Sequence, residues 1–280
     1  HLGSIVHKDP SYIIGGWLLL ASMLWLCRKR RASTGVLGVV LGSFLVFIAP
    51  PWKTQPPPGL FVAVFGSTQA VGKEVVYQAL QRGMKVRALV MNTSKFLTPE
   101  GSAANESGQN FSNPLLTVVE GNATIQEDVN KILTKGVKGV VVCLEVNRTN
   151  RTANIIAAMK QVKAKRIVVV SSLGAGDSKS RDPLHLNNFL MTRTLKEWFG
   201  DHDTQEALFT NTSAPGEKLE FIILRPAKMT LNPPTGKVKV IDEGIVKGRI
   251  PAADVADWCL RALSEKKFKY LRQTPCMVAE

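Results

Sequence analysis

Residues 60–90 read LFVAVFGSTQAVGKEVVYQALQRGMKVRALV, and the organisation of the chain follows from this stretch. An apolar run opens it, a turn with Gly66 and Gly72 comes next, and a segment with apolar residues at helical spacing leads into a second apolar run. That order predicts a strand, a glycine-containing turn, a helix and a strand. In such a unit, backbone N–H groups meet at the helix N-terminus, where a pyrophosphate can bind. The stretch therefore predicts a nucleotide-binding fold.

Predicted strands and helices alternate along the rest of the chain. The strands are predicted at 115–119, 139–144, 166–170 and 220–224, and the helices at 125–133, 152–162, 184–199 and 252–263. This alternation predicts an α/β fold, a Rossmann-like doubly wound parallel sheet with helices on both faces. The polar segment 98–113 is predicted to be a mobile insertion before the third strand.

The first 52 residues have a different character. Residues 11–27 and 34–52 carry no charged side chain, and the basic cluster 28–31 separates them. Each apolar segment approaches the length of about 20 residues that a membrane-spanning helix needs. We predict a two-helix transmembrane hairpin in residues 1–52, with helices at about 11–27 and 34–50. A signal peptide, or a pair of buried helices in a soluble domain, is the alternative.

A short linker separates the predicted hairpin from the nucleotide-binding domain. Residues 53–59 read KTQPPPG, and three consecutive prolines favour an extended spacer. The domain itself is predicted to span residues 60–280. The basic cluster 28–31 favours the cytoplasmic-equivalent side of a membrane, whereas the basic domain opposes that bias, so the orientation stays open.

Charge and cysteine content restrict the classes of partner. The net charge of +14 suits anionic lipid, nucleic acid or an acidic protein surface, but no nucleic-acid-binding signature accompanies it, and we expect no nucleic-acid partner. The four cysteines show neither metal-ligand spacing nor a CxxC pair, which predicts free thiols, a reducing compartment and no metal site. His185 and His202 are interpreted as surface histidines.

Several segments together carry a resemblance to a known family. In chain order they are VAVFGSTQAVG, VRALV, VVEGNAT, KRIVVVSSLGAGDS, DHDTQEAL, FIILRPAKMTLNPPTGKVKV and GRIPAADVADW. Across residues 60–265 they resemble the atypical short-chain dehydrogenase/reductases, and within these the flavin reductase/biliverdin-IXβ reductase-like group. The resemblance implies an NAD(P)H-binding oxidoreductase fold.

The resemblance also implies a set of cofactor-binding residues. Gln69 stands where the family has its middle glycine, and Met91 stands where it commonly has an arginine for a 2′-phosphate. Because residues 91 and 92 are not acidic, the implied cofactor is NADP, with NAD as the alternative. The implied residues are Gly66, Thr68, Gln69, Ala70, Val71, Gly72, Met91, Lys95, Asn122, Ala123, Leu144, Ser171 and Pro226.

Two residues are candidates for catalysis, Ser172 after the fifth strand and Lys228 after the sixth. The Tyr-x-x-x-Lys pair of classical members is absent from the sequence.

Two functions stay open. One is a membrane-anchored reductase of a flavin-, quinone- or tetrapyrrole-like acceptor, and the other is a catalytically silent accessory or assembly subunit of an organellar membrane complex. The expected partners are membrane lipid, subunits of such a complex and a small-molecule acceptor, and the expected location is a chloroplast or mitochondrial membrane.

Overall fold

The computed structural model describes residues 59–103, 105–186 and 192–280. In chain order the elements are β1 (Phe61–Phe65), α1 (Ala70–Gln81), β2 (Lys85–Val90), β3 (Leu116–Glu120), α2 (Gln126–Ile132), β4 (Gly139–Val142), α3 (Arg148–Val162), β5 (Arg166–Val170), α4 (Pro183–Leu186), α5 (Arg193–Thr210), β6 (Glu220–Pro226), β7 (Lys228–Thr230), β8 (Val238–Ile241), β9 (Arg249–Pro251), α6 (Ala252–Ser264) and β10 (Cys276–Ala279). Single 3-10 segments lie at Thr93–Lys95 and Gly176–Arg181.

Eight strands form one sheet in the order β3-β2-β1-β4-β5-β6-β10-β8. Neighbouring strands are parallel, except that β8 pairs antiparallel with β10 at one edge. The chain builds outward from β1 to β3 and then from β4 to β6, so the direction of winding reverses between β1 and β4. This topology confirms the predicted α/β fold with a doubly wound parallel sheet. Strands β7 and β9 form a separate small parallel pair, which the prediction did not include.

Alternate residues of the central strands enter two separate cores. Val62 of β1 belongs to a core with Val75 of α1 and Leu260 of α6. Phe65, three residues further along the same strand, belongs to the opposite core with Ile156 of α3. Because side chains alternate across a strand, both faces of β1 are apolar, and the strand reads as an unbroken apolar run.

The predicted start of α3 is wrong by four residues. The helix begins at Arg148 because the Asp201 carboxylate of α5 accepts hydrogen bonds from the main-chain N–H groups of Arg148, at 3.2 Å, and Thr149, at 3.4 Å. A carboxylate at this position satisfies N–H groups that have no partner inside the helix. The capping group lies more than fifty residues away in the sequence, so no local pattern indicates it.

The helix predicted at 184–199 is also wrong. A four-residue helix ends at Leu186, and α5 begins at Arg193 and continues to Thr210. The inward face of α5 includes the buried polar residues Gln205 and Glu206, so the apolar periodicity fades after residue 199 although the helix continues.

The insertion predicted at 98–113 is present before β3 and is hydrogen-bonded to α1 and to itself. The Ser102 N–H donates to the Glu74 carboxylate of α1 at 2.8 Å, and the Thr98 N–H donates to the Gln109 carbonyl at 2.8 Å. Its mobility stays a prediction.

The predicted transmembrane hairpin and all but the last residue of the linker fall within residues 1–58, outside the described part of the chain. Among the residues that the structure does describe, none forms a helix long and apolar enough to cross a membrane. The free-thiol prediction is confirmed for Cys143, Cys259 and Cys276, all of them buried. Cys27 lies outside the described residues.

Candidate functional site

The turn after β1 is packed too closely to accept side chains at its two glycines. Gly66 has φ +77°, and a Cβ there would lie 2.0 Å from the Cys143 carbonyl oxygen. A Cβ on Gly72 would lie 2.1 Å from the Gly66 carbonyl oxygen. The buried Ser67 hydroxyl donates to the Leu89 carbonyl at 2.9 Å. Together these contacts fix β1, α1 and the β4 end in the arrangement that a dinucleotide-binding turn requires.

Gln69 fits its position without left-handed backbone geometry. It precedes α1 with φ −82° and ψ 160°, and its N–H donates to the Gly66 carbonyl at 3.0 Å. The first intrahelical bond is donated by the Lys73 N–H to the Gln69 carbonyl at 2.8 Å, so the N–H groups of residues 70–72 have no partner within the helix. The first turn of α1 has no acidic residue, and Gln69 makes no capping hydrogen bond there. This helix end therefore fits a pyrophosphate.

A cavity of about 890 Å³ begins at this turn and follows the carboxyl ends of β4, β5 and β6. This is the crevice where doubly wound sheets bind their ligands. The cavity brings together the following residues of the predicted site: Gln69, Ala70, Val71, Leu144, Ser171, Ser172, Pro226 and Lys228.

The outer wall of the cavity is largely apolar. It is formed by Leu184, Leu195, Trp198, Phe199, Met229 and Val246. The Arg148 guanidinium lies 5.1 Å from the centre of the Trp198 ring and also lines the cavity. Such a wall suits a flat, apolar ligand with a few anionic or hydrogen-bonding groups.

A buried polar network lies behind the β5 end. Arg225 of β6 contacts the Glu206 carboxylate through two nitrogens, at 2.5 Å and 3.1 Å. The Ser171 hydroxyl donates to the same carboxylate at 2.5 Å and lies 3.2 Å from His202 Nδ1. The pKa of Arg225 is raised, because the hydrogen bond and negative charge of Glu206, with a contribution from Asp177, outweigh the cost of burying the cation.

His202 is buried, at 2 % exposure, so its interpretation as a surface histidine is wrong. Burial, together with the nearby Arg148 charge, lowers the His202 pKa to about 3, and the imidazole is neutral at pH 7. Because the Ser171 O–H donates its hydrogen bond to Glu206, the Ser171 oxygen accepts a hydrogen bond from Nδ1–H of His202. Nε2 is then left as an acceptor, and it has no hydrogen-bond partner among the described residues.

The remaining predicted cofactor residues lie along the same edge of the sheet. Met91 follows β2 and is exposed, and Lys95 is exposed on the 3-10 segment that follows. Asn122 follows β3, where its side-chain oxygen accepts from the Thr124 N–H at 3.1 Å. Ala123 is buried beside it, and Thr68 is half-buried in the turn. The assignment of these residues to cofactor binding stays a prediction.

The two candidate catalytic residues, Ser172 and Lys228, both line the cavity but differ in their surroundings. The Ser172 hydroxyl donates to the Leu173 carbonyl at 3.0 Å, whereas Lys228 is exposed at the start of β7. Neither described tyrosine, Tyr77 or Tyr270, lines this cavity. The catalytic roles of Ser172 and Lys228 also stay predictions.

Sequence reasoning missed three residues of this region, namely Arg148, His202 and Glu206. One signal for two of them is present in DHDTQEAL, because His202 and Glu206 are four residues apart and so share a helix face. No sequence signal indicates that this face meets Ser171 and Arg225, since those contacts join α5 to β5 and β6.

The fold and the turn together define a dinucleotide-binding protein of the doubly wound class. A family model described as NAD(P)H-binding matches residues 66–266, which is well over half of the chain. The chain belongs to this NAD(P)H-binding family.

Solved structures that resemble the chain share its fold at low sequence identity. The anaerobillin reductase ChuY of Escherichia coli O157:H7 has 19% identity and a TM-score of 0.58, with 78% of this chain and 97% of that chain covered. A short-chain dehydrogenase/reductase of Veillonella parvula DSM 2008, in complex with NADP, has 14% identity and a TM-score of 0.61, with coverages of 78% and 94%. A comparison with curated proteins gave no significant match.

Proposed function

We propose that the protein is an NADPH-dependent reductase whose acceptor binds in the cavity beside the nucleotide turn. The observation that carries the proposal is the continuity of that cavity. Val71 at the turn, Ser172 after β5 and Pro226 at the end of β6 line the same volume of about 890 Å³. A dinucleotide held at the turn and an acceptor held near β6 would share one space, as direct transfer requires.

The residues around the turn fit the cofactor. The N–H groups of residues 70–72 would hold its pyrophosphate, and Leu144, Ser171 and Pro226 would flank its nicotinamide. Bound there, NADPH would supply the hydride. The apolar wall would help to exclude water from the place where the acceptor would lie.

The acceptor that these groups suit is flat, apolar and partly anionic. Lys228 and Lys247 line the cavity and would attract carboxylate or phosphate groups. His202 Nε2 would accept a hydrogen bond from an N–H or O–H of the acceptor after a small shift of Trp198, whose ring lies 4.4 Å from the imidazole. Flavin nucleotides and tetrapyrroles have a flat ring system, anionic groups and N–H donors, whereas quinones share only the flat, apolar ring. The similarity in fold to an anaerobillin reductase favours testing tetrapyrroles first.

A titration of the purified full chain with NADPH, followed by tryptophan fluorescence, tests the cofactor. Loss of NADPH absorbance in the presence of FMN, a quinone or biliverdin then tests turnover. We expect saturable binding, and oxidation with at least one acceptor. Absence of saturable binding would contradict the proposal at its first step.

A charge placed at the helix end gives a sharper test of the binding site. Ala70→Glu puts a carboxylate in the first turn of α1, where it would repel the pyrophosphate, while Ala70→Gln keeps the size without the charge. At a separation of about 5 Å and an effective dielectric constant of about 20, the repulsion amounts to roughly 3 kcal/mol, so the two variants should differ by about tenfold or more in NADPH affinity. Equal affinities would place the pyrophosphate elsewhere.

The second candidate function is the catalytically silent accessory or assembly subunit of an organellar membrane complex. One observation favours it: the Gln69 N–H is used by the Gly66 carbonyl and is not available to a phosphate. NADPH binding without oxidation of any acceptor, together with co-purification of other subunits at fixed stoichiometry, would support this candidate over the reductase.

We also propose that the predicted hairpin in residues 1–52 anchors the protein in a chloroplast or mitochondrial membrane. The support is the pair of uncharged segments in the sequence. Retention of the full chain in membranes through an alkaline carbonate wash is the expected result, and release into the supernatant would contradict it.

A further inference from the structure

Arg151 is a buried arginine for which the described residues provide no carboxylate. It is 9 % exposed and lies on α3. Among the described residues two other arginines are buried, and both are paired, Arg148 with Asp201 at 3.0 Å and Arg225 with Glu206 at 2.5 Å. Nε of Arg151 is buried without a hydrogen-bond partner in the described structure. A cation in this state is costly, and an anionic ligand would remove part of that cost.

The position of Arg151 points to the kind of anion. Its Nη2 lies 3.8 Å from the Sδ of Met91, the residue that follows the last residue of β2. In doubly wound sheets, the residue after β2 lies beside the adenosine ribose, where an acidic residue binds the 2′-hydroxyl of NAD or an arginine binds the 2′-phosphate of NADP. Here the strand itself supplies neither, because residues 91 and 92 are methionine and asparagine.

The same side of α3 connects the cavity to this ribose position. Arg148 lines the cavity, Arg151 contacts Met91, and Asn154 donates through its side-chain amide to the Ala123 carbonyl after β3 at 3.0 Å. These residues are three apart and therefore lie along one side of the helix. That side follows the carboxyl edge of the sheet from β4 past β2 to β3, the direction in which the adenosine half of a dinucleotide extends from the turn.

We propose that Arg151 binds the 2′-phosphate of NADPH and selects NADPH over NADH, replacing from α3 the basic residue that β2 lacks. The inference rests on the proposed cofactor function. The planar guanidinium provides parallel N–H donors that match a phosphate dianion. The Met91 side chain contacts this guanidinium and is 59 % exposed, so it would move into solvent to admit the phosphate. Lys95, exposed on the next turn of chain, adds positive charge at this end.

The first experiment compares dinucleotide affinities of the full chain and two variants at Arg151. Arg151→Met removes the charge at similar length, and Arg151→Lys keeps the charge but lacks the parallel N–H donors of the guanidinium. Loss of a charge-assisted hydrogen bond should raise the NADPH Kd about tenfold or more in Arg151→Met, with the NADH Kd serving as the measure that the fold and the rest of the site are intact. Arg151→Lys should fall between the wild type and Arg151→Met.

A second pair of variants changes an exposed residue, so it does not depend on the stability of a buried substitution. Met91→Glu places a carboxylate beside Arg151, where it would pair with the guanidinium, repel a 2′-phosphate and accept from a ribose hydroxyl. Met91→Gln is its neutral counterpart. The ratio of the NADPH and NADH Kd values should shift toward NADH by about tenfold or more in Met91→Glu relative to Met91→Gln.

The outcomes separate this inference from the proposed function. If the wild type binds neither dinucleotide, the proposed function is wrong and the assignment of Arg151 is wrong with it. If the wild type prefers NADPH, and Arg151→Met and Met91→Glu keep that preference, the cofactor function stands and the assignment alone is overturned. Loss of the preference in both variants, with NADH binding retained, supports it. Competition by 2′,5′-ADP that Arg151→Met weakens, with competition by 5′-ADP unaffected, would show that the 2′-phosphate is the group recognised.

Discussion

The buried ion pair between Glu206 and Arg225 makes a quantitative stability prediction. Both side chains are almost fully buried, at 3 % and 4 % exposure, and the carboxylate accepts two hydrogen bonds from the guanidinium and one from Ser171. Glu206→Gln removes the negative charge but keeps the size of the side chain. Removing one partner of a buried pair typically costs about 3–5 kcal/mol, because the other charge stays buried. Asp177, which also contacts Arg225, offsets part of that loss.

We therefore expect Glu206→Gln to lower the free energy of unfolding by about 3 kcal/mol. For a domain of this size, that corresponds to a decrease of roughly 6–12 °C in Tm. Urea unfolding followed by circular dichroism, and a thermal scan, measure both quantities on the full chain.

Two further variants make the reasoning specific. Glu197 lies on the same helix as Glu206 and forms an exposed ion pair with Arg193. Glu197→Gln breaks this pair and should lower the free energy of unfolding by no more than about 0.5 kcal/mol. The double variant Glu206→Gln with Arg225→Met removes both members of the buried pair and should recover at least about half of the loss. A Glu206→Gln variant within about 1 kcal/mol of the wild type, or a double variant no better than the single one, would refute the argument.

Three other properties can be measured with equal directness. Because the folded His202 pKa of about 3 lies below its unfolded value, the unfolded chain binds a proton that the folded chain does not. Stability from this source is therefore complete above about pH 6.5 and falls by about 1.4 kcal/mol per pH unit on acidification toward pH 3, and urea titrations of His202→Gln should show a correspondingly shallower acid loss than the wild type. Gly66→Ala should be far more destabilising in thermal scans than Gly83→Ala: both positions have positive φ, but a Cβ at Gly83 meets no atom within 4 Å, whereas one at Gly66 meets backbone, and equal costs would contradict the packing argument. Burial raises the pKa of the Cys143 and Cys259 thiols, so iodoacetamide at pH 8 should label them only after denaturation, as mass spectrometry of the native and the unfolded protein would reveal.

Much of the fold could be predicted because it depends on local patterns. The apolar runs of β1, β4 and β5 are long and continuous, and the turn between β1 and α1 carries glycines at positions where a Cβ would overlap backbone atoms. Both features act over a few residues, so reading the sequence alone recovers them. The edge strand β8 is less apolar and half-buried, and its pairing depends on a distant strand, so the sequence alone does not indicate it.

The features of the candidate site also fall into two groups, those that depend on one segment of sequence and those that depend on contacts between distant elements. The sequence by itself determined a doubly wound dinucleotide-binding domain, the position of its phosphate turn, and the residues at the ends of its strands, because each depends on spacing along one segment. Only the tertiary structure decided that His202 is buried beside Ser171, that Asp201 caps α3, and that Arg151 reaches the residue after β2. These contacts join elements that lie 31, 53 and 60 residues apart, and burial, protonation state and ligand access all follow from such contacts.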